Sequence, residues 1–294
     1  MKAMRWIVGA IALAVAAAAQ AGERVDRSID VGPSGEVTID VRRGSVTIEG
    51  TSEQKVSVSG TRDDSSTAFV FERDGDVVRI EDRVPDHTRG EGTAIVVRIP
   101  SKHEVRANLV SADLDVADVA GRVRLSTVSG RIQGSALAGN AALHTVSGDV
   151  NVVASGDELE VETVSGDVDA KVDAKSLDAK TVSGDIALDD RAQLGRGKIS
   201  TVSGDVRFAT TLGGDGDVTM ASVSGDITVS LRAPIDARIR LDAGPGGSIS
   251  NKLPGATETP AKHGVSERLV LNLGSGKADL ELTTMSGTLT LKPE

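Results

Sequence analysis

The sequence predicts an all-β fold, a single-chain β-solenoid with coils of about 18 residues, preceded by an N-terminal region of β-strands. The first observation is a six-residue phrase whose glycines stand 18, 18, 18, 20 and 21 residues apart. The second is the alternation of apolar and polar residues around each copy, and the third is that no stretch after residue 21 has a helical period. The phrase, Thr-Val-Ser-Gly-Asp-Val/Ile with two looser copies, occurs at Thr127–Ile132, Thr145–Val150, Thr163–Val168, Thr181–Ile186, Thr201–Val206 and Ser222–Ile227.

Met1–Ala21 is expected to be a signal peptide that is removed on export. Lys2 and Arg5 precede an apolar run that is too short to span a bilayer comfortably, and Ala19-Gln20-Ala21 has the form of a cleavage site. The sequence contains no cysteine, so neither a lipid anchor nor a disulfide is expected. The mature chain would begin at Gly22, would be periplasmic or extracellular, and would have no integral membrane segment.

Charge and aromatic content limit the partners of the mature chain. Loss of Lys2 and Arg5 leaves 31 basic and 43 acidic residues, a net charge of -12, which argues against nucleic acid or an anionic surface as a partner. Only three phenylalanines remain as aromatic residues, whereas sugar sites and single-strand nucleic-acid platforms usually stack rings on aromatic side chains. We therefore expect an aliphatic core, no cofactor, and a partner that is another protein or an envelope surface.

Residues 22–107 are expected to form β-structure that leads into the solenoid, and residues 108–294 to form the solenoid itself. In the first region, Val37–Val41 and Ser45–Ile48 alternate in the manner of half-buried strands. Arg42-Arg43-Gly44 is expected to be a turn between them.

Each repeat predicts two short strands, one before the glycine and one after it. The parity of the inward positions changes across the glycine: Leu143 and Thr145 are odd-numbered, whereas Val150 and Val152 are even-numbered. The Ser-Gly-Asp segment must therefore turn the chain or insert a bulge, and glycine is expected there because it adopts a positive φ without a Cβ clash. These structural glycines are Gly130, Gly148, Gly166, Gly184, Gly204, Gly225 and Gly287.

Two architectures explain such a unit, a β-solenoid and an antiparallel meander with Gly-Asp hairpin turns. The solenoid is favoured because it stacks like residues about 4.8 Å apart, and because the longer spacings, at Asp189–Gly197 and Thr211–Asp217, leave the phrase intact. Residues 254–267 are expected to be a polar insertion loop. Thr284–Leu289 is a last copy of the phrase, which is expected to close the stack.

Four segments together resemble the DUF4097 family of secreted bacterial proteins, which are regarded as candidate adhesins. They are Val97-Arg98-Ile99-Pro100, the serial Val-Ser-Gly-Asp rungs, Gly276–Leu280 and the closing Met285-Ser286-Gly287. The resemblance covers about Val37 to Leu291. It implies a β-solenoid and an exported or envelope location, and it supplies no catalytic residue that could be carried over to this chain.

The most conspicuous polar set is a column of carboxylates one rung apart. It could be a ladder of divalent cations, because hard oxygen ligands suit calcium. The favoured interpretation is that each carboxylate bonds backbone amides of its own turn and faces water. The column consists of Asp149, Asp167, Asp185, Asp205 and Asp226.

Other polar residues are expected to be structural. The threonines that begin each phrase should bond one another along the axis, as cross-strand threonine pairs do, and an outward-facing array that orders water in an ice-like pattern is the alternative. The four histidines have no ligand spacing, so no zinc site is predicted, and no serine lies in a Gly-x-Ser-x-Gly elbow. The histidines are His87, His103, His144 and His263.

These observations predict a non-enzymatic, exported, adhesin-like envelope protein. Its solenoid would present an extended surface for protein or cell-surface contacts. The alternatives are a carbohydrate-active β-helix enzyme and a calcium-binding surface rod, and both would use the aspartate column.

Overall fold

A computed structural model of the chain describes residues 22–85, 90–212, 214–253, 259–263 and 266–294. The expected signal peptide and His87 lie outside these residues, and no helix is found within them. The strands are β1 (Arg24–Asp30), β2 (Glu36–Thr51), β3 (Lys55–Thr61), β4 (Ala68–Asp74), β5 (Val77–Arg83), β6 (Thr93–Pro100), β7 (Glu104–Ala117), β8 (Val123–Thr127), β9 (Ile132–Leu137), β10 (Ala141–Thr145), β11 (Val150–Ala154), β12 (Glu158–Glu162), β13 (Val168–Val172), β14 (Ser176–Lys180), β15 (Ile186–Asp190), β16 (Arg196–Ser203), β17 (Val206–Thr211), β18 (Asp217–Ser224), β19 (Ile227–Arg232), β20 (Ala237–Ala243), β21 (Ser248–Asn251), β22 (Thr259–His263), β23 (Ser266–Leu273), β24 (Ala278–Ser286) and β25 (Thr288–Pro293).

The repeats stack as coils of a solenoid with two β-faces. Face one contains the strands that precede each glycine, and face two contains the strands that follow it. Within each face the repeats pair in parallel, like upon like, so that Leu125, Leu143 and Val161 lie in register. The predicted all-β solenoid is therefore confirmed, and the antiparallel meander is wrong.

Strands β2 and β7 are long enough to cross both faces. The first half of β7 pairs with β8 on face one, and its second half pairs with β9 on face two. Strand β2 pairs along almost its whole length with β7, so Arg42-Arg43-Gly44 does not separate two strands as predicted. The boundary expected after residue 107 lies inside β7. Strand β2, which precedes that boundary, already stacks in parallel on β7.

The inward side chains of both faces fill one aliphatic core. Leu143 on face one and Val150 on face two are almost fully buried, as are their equivalents in successive rungs. Burying a Val or Leu side chain stabilises a fold by about 1.5–3 kcal/mol. The alternation in each strand is thus satisfied by one continuous interior.

Both ends of the stack depart from the order of the chain. Strands β24 and β25 lie between the coil of β18 and β19 and the coil of β20 and β21. The last copy of the phrase therefore does not close the stack, because β20 and β21 lie outside it. At the other end, β5 and β6 lie outside β2, although they follow it in the chain.

Antiparallel strands extend the sheet beyond these outer coils. At the N-terminal end, β4 pairs with β5. Strand β3 pairs with β6, and β1 pairs with β3. On face one, β23 pairs with β20 and β22 pairs with β23. The insertion loop expected at residues 254–267 thus contains strand β22, while residues 254–258 and 264–265 lie outside the described part of the chain.

Candidate interaction surface

The repeated phrase forms the corner between the two faces of the solenoid. In one rung, β10 ends at Thr145 on face one and β11 begins at Val150 on face two. Between them, Thr145 points inward, whereas Val146 and Ser147 point to solvent. The corner therefore places one column each of valine, serine and aspartate along the outside of the solenoid, while Gly148 is buried.

The glycine column is required by close packing between rungs. A Cβ atom on Gly166 would lie 2.0 Å from the carbonyl oxygen of Gly148 and 3.0 Å from Oγ1 of Thr163. Gly166 does not have a positive φ, so the predicted reason for glycine is wrong at this position, whereas Gly204, Gly225 and Gly287 do have a positive φ. The absent Cβ matters because it leaves room for the backbone of the preceding rung.

Each carboxylate of the aspartate column accepts a hydrogen bond from the next rung. The amide of Asp185 donates to Oδ1 of Asp167 over 2.8 Å, and the amide of Asp205 donates to Oδ1 of Asp185 over 2.9 Å. The interpretation that each aspartate bonds amides of its own turn is therefore wrong in its choice of partner. The same bond recurs from Asp167 to Asp149, from Asp226 to Asp205 and from Thr288 to Asp226.

These hydrogen bonds offset the repulsion within the column. Two charges one rung apart repel by about 1 kcal/mol in water, while a hydrogen bond to a charged acceptor contributes about 1.5–3 kcal/mol. Arg207 adds attraction, because its guanidinium lies 3.4 Å from both Asp185 and Asp205. Within the described ranges, no three His, Cys, Asp or Glu side chains converge as a metal site would require.

The inward threonines do not bond one another as predicted. Thr145, Thr163 and Thr181 are about 95% buried, and their hydroxyls have no hydrogen-bond partner among the described residues. At the two ends of the column, Thr127 and Thr284 donate to carbonyl oxygens of the preceding rung over 3.4 and 3.5 Å. Because the column is buried, the alternative of an outward array that orders water is also wrong.

The valine column forms an exposed apolar ridge along the corner, which sequence analysis missed. Its eight side chains are each between 42% and 55% exposed. The signal was present in the sequence, because the second residue of each phrase has the opposite parity to the buried threonine. We call this set the valine ridge; it comprises Val110, Val128, Val146, Val164, Val182, Val202, Val223 and Met285.

Backbone hydrogen bonds fix the spacing of the valine ridge. The amide of Ser165 donates to the carbonyl of Val146 over 2.8 Å, and the amide of Ser183 donates to the carbonyl of Val164 over 2.9 Å. Successive ridge side chains are therefore about 4.8 Å apart, the spacing of hydrogen-bonded strands. The ridge is about 34 Å long and is rigidly held at every rung.

The two sides of the valine ridge carry different charge. On the side of face one, Glu162 pairs with Lys180 at 2.8 Å and with His144 at 3.5 Å, so charges of both signs are present. Lys180 holds the pKa of the Glu162 carboxyl below its ordinary value. On the other side, Asp149 and Asp167 form no ion pair with any residue that the structure describes. Asp185 and Asp205 share Arg207, so this side carries a net negative charge.

Two buried polar groups of face two were also missed by sequence analysis. Asp190 is fully buried; it accepts a hydrogen bond of 2.7 Å from the hydroxyl of Thr210 and one of 3.2 Å from the amide of Ala192. Burial raises the pKa of its carboxyl. The signal was a charged residue in an inward column, since Asp190 pairs with Val172 of the rung before it.

A second buried polar cluster lies near the N-terminal end of the solenoid. The guanidinium of Arg43 donates to both carboxylate oxygens of Asp63, which is almost fully buried, and this pairing holds the pKa of Asp63 well below its ordinary value. Thr93 donates to the buried Asp82 and accepts a hydrogen bond of 3.1 Å from the amide of Asp63. His103 is buried in the turn before β7, and burial lowers its pKa. These contacts stabilise the fold locally.

The concave parts of the described surface are open grooves between neighbouring strands. One groove of about 390 Å³ lies at the N-terminal end of the valine ridge, where Asp40, Arg42, Asn108 and Val110 line it. The feature with the greatest extent is the valine ridge itself, which suits contact with a large partner. The structure contains no helix that could cross a membrane within the residues it describes.

Comparison with known proteins agrees with this architecture. A family model described as Toastrack DUF4097 matches residues 35–292, and the resemblance noted in the sequence is confirmed. No match was found among curated proteins.

Several solved structures are similar to this chain. A candidate adhesin from Bacteroides fragilis is 11% identical, with 92% of this chain and 97% of that chain covered and a TM-score of 0.44. A candidate lipid-binding protein from Parabacteroides distasonis is 12% identical, with the same coverage and a TM-score of 0.45. A candidate cell adhesion protein from Clostridium sporogenes is 13% identical, with 92% and 100% covered and a TM-score of 0.26. Likenesses at this level say nothing about the partners of this chain.

Proposed function

The chain belongs to the Toastrack DUF4097 family, and we propose that it is a non-enzymatic, exported, adhesin-like envelope protein. Its solenoid presents an extended surface for protein or cell-surface contacts. The N-terminal sequence with the features of a signal peptide supports the location. The valine ridge is the observation that supports a contact surface.

The valine ridge is an unusual use of apolar side chains on an outer surface. Single exposed apolar residues are common, but contiguous apolar patches on soluble proteins are often sites of interaction. Here eight half-exposed side chains follow one another without interruption from Val110 to Met285. Ser165 and its equivalents border them with hydroxyl groups, which permit binding without burying a charge.

A binding assay on whole cells tests the contact surface. The mature chain, beginning at Gly22, is labelled with a fluorophore and titrated onto intact cells of the producing bacterium. We expect saturable binding that falls at least about tenfold in the triple variant Val146→Ser, Val164→Ser, Val182→Ser. Val153→Ser is the matched control, because Val153 is equally exposed, at 45%, but lies on β11 away from the ridge. Absence of saturable binding, or equal loss in both variants, would overturn the proposal.

Two further measurements test export and the absence of catalysis. Cell fractionation with mass spectrometry should find the chain outside the cytoplasm with Gly22 as its first residue. Incubation with glycan and ester substrates should produce no turnover. Turnover that single substitutions of the aspartate column abolish would replace this proposal with an enzymatic function.

A further inference from the structure

We propose that the valine ridge pairs with the same ridge of a second copy of this chain, the two solenoids lying side by side and parallel. The inference rests on the proposed function, because it names the partner of the same surface. Three properties of the ridge lead to it: its period, its area and the unequal charge on its two sides.

The period of the ridge matches a second copy over its full length. Ridge side chains recur about every 4.8 Å, whereas one side of an extended strand presents a residue about every 6.7 Å. A helix presents a turn about every 5.4 Å, so its side chains drift half a rung out of register after about four rungs. A second solenoid has the identical period, and one favourable contact is repeated at every rung.

The area of the corner suits a reversible dimer. The ridge is about 34 Å long, and the surface from position 144 to position 149 is at most about 20 Å wide at about 3.3 Å per residue. Each copy can thus bury at most about 700 Å², a little below the roughly 800 Å² per partner of a standard specific interface. The centre of that interface is apolar and its margins are charged, which is the usual arrangement.

The charge on the two sides of the ridge selects the parallel arrangement. A two-fold axis across the ridge would place the aspartate column opposite the aspartate column of the partner, which is repulsive. A two-fold axis along the ridge places this negative side opposite the partner's other side, where His144 and Lys180 pair with Glu162 and charges of both signs avoid that repulsion. Each valine then lies opposite its own equivalent, and the two-fold symmetry closes the assembly at two copies.

Sedimentation velocity on the mature chain tests the dimer. From about 1 µM to about 500 µM, we expect a concentration-dependent change from monomer to dimer. Val164→Arg, at the middle of the ridge, should weaken the association at least about tenfold, while the matched control Val153→Arg leaves it unchanged. Both variants should retain the circular dichroism spectrum of the parent. A parent that stays monomeric throughout, or equal weakening by both variants, would overturn the inference.

Disulfide trapping tests the orientation, because the chain has no native cysteine. Val128→Cys and Val223→Cys lie in rungs equally far from the two ends of the ridge. In the parallel dimer each variant crosslinks with itself, and a mixture gives no crosslink between the two. An antiparallel dimer gives the reverse pattern and would overturn the proposed arrangement.

The cell-binding assay separates this inference from the proposed function. A monomeric chain whose cell binding still depends on the ridge overturns the dimer and retains the proposed function. A dimer whose cell binding does not depend on the ridge retains the inference and overturns the proposed function.

Discussion

The carbonyl oxygen of Gly148 lies 2.0 Å from the position that a Cβ atom on Gly166 would take. We expect Gly166→Ala to lower the free energy of unfolding by about 3 kcal/mol, because the carbonyl group of Gly148 belongs to the backbone and only separation of the rungs could relieve the overlap. Urea denaturation measures the change. The matched control is Gly32→Ala, whose Cβ would lie 3.7 Å from the nearest atom, the carbonyl oxygen of Ser34. Equal stabilities of the two variants would contradict the steric role of Gly166.

The aspartate column should contribute through its acceptor atoms. Asp167→Ala removes the acceptor of the Asp185 amide and should cost about 1–2 kcal/mol. Asp167→Asn keeps an oxygen at that position and should change stability by less than about 0.5 kcal/mol. Thermal unfolding distinguishes the two, with Asp169→Ala as a control on the exposed side of β13. An asparagine variant as unstable as the alanine variant would show that the charge itself is what matters.

Calcium should leave the melting temperature unchanged. Each of the five aspartates already accepts an amide hydrogen bond from the next rung, and a cation that bound the folded chain selectively would raise the melting temperature. The mature chain is melted in millimolar calcium and in chelator, followed by circular dichroism. A melting temperature that rises with calcium would support the cation ladder instead.

Asp190 should make the fold less stable as pH rises. Burial raises its folded pKa above the ordinary value of 3.8, so its stabilising contribution is present below that value and is lost as pH rises through the folded pKa. Asp190→Asn should therefore become more stable relative to the parent as the pH is raised from 4 towards neutral. Denaturation at a series of pH values measures this difference.

Asp189→Asn is the natural comparison for Asp190→Asn. Arg232 lowers the pKa of Asp189, so its contribution is present above the ordinary value and is lost as pH falls through the lowered folded pKa. The two neighbouring variants should change stability with pH in opposite directions. The same sign for both would refute the assignment to burial and pairing.

His103 should destabilise the fold in mild acid. Its folded pKa is lowered from 6.5 by burial, so its contribution is fully present above 6.5 and is lost as pH falls through the folded pKa. Between pH 7 and pH 5 the parent should lose more stability than His103→Gln, which does not titrate there. Parallel profiles for the two proteins would contradict this.

The repeat determined most of what could be predicted of the fold. The near-constant spacing of the glycines favoured stacked coils, and the parity change across Ser147-Gly148-Asp149 required a turn or a bulge. The sequence could not show why Gly166 is glycine. A positive φ and a close approach by the backbone of another rung both require a residue without a Cβ atom. The partner of Asp167 lay one rung away, and sequence reasoning considered only its own turn.

The candidate site was harder to predict than the fold. Val164 and its equivalents occur in every phrase, but a valine in β-structure is usually buried, and only the position of the corner shows that these point outward. The repeat also did not predict the order of the coils at the two ends of the solenoid. Strand β24 carries the same phrase as the central rungs, and nothing local indicates which neighbour it joins.

This order of coils has a consequence for how the chain can be wound. Strands β20 and β21 leave the ribosome and cross any membrane before β24 and β25. In the folded chain, however, β20 pairs with β24 and β21 pairs with β25. The coil that they form has no parallel neighbour to add to until Ala278–Pro293 has followed and filled the gap next to β18 and β19. The central rungs can assemble one after another as they emerge, whereas the C-terminal end can join the stack only after the last strands of the chain have emerged.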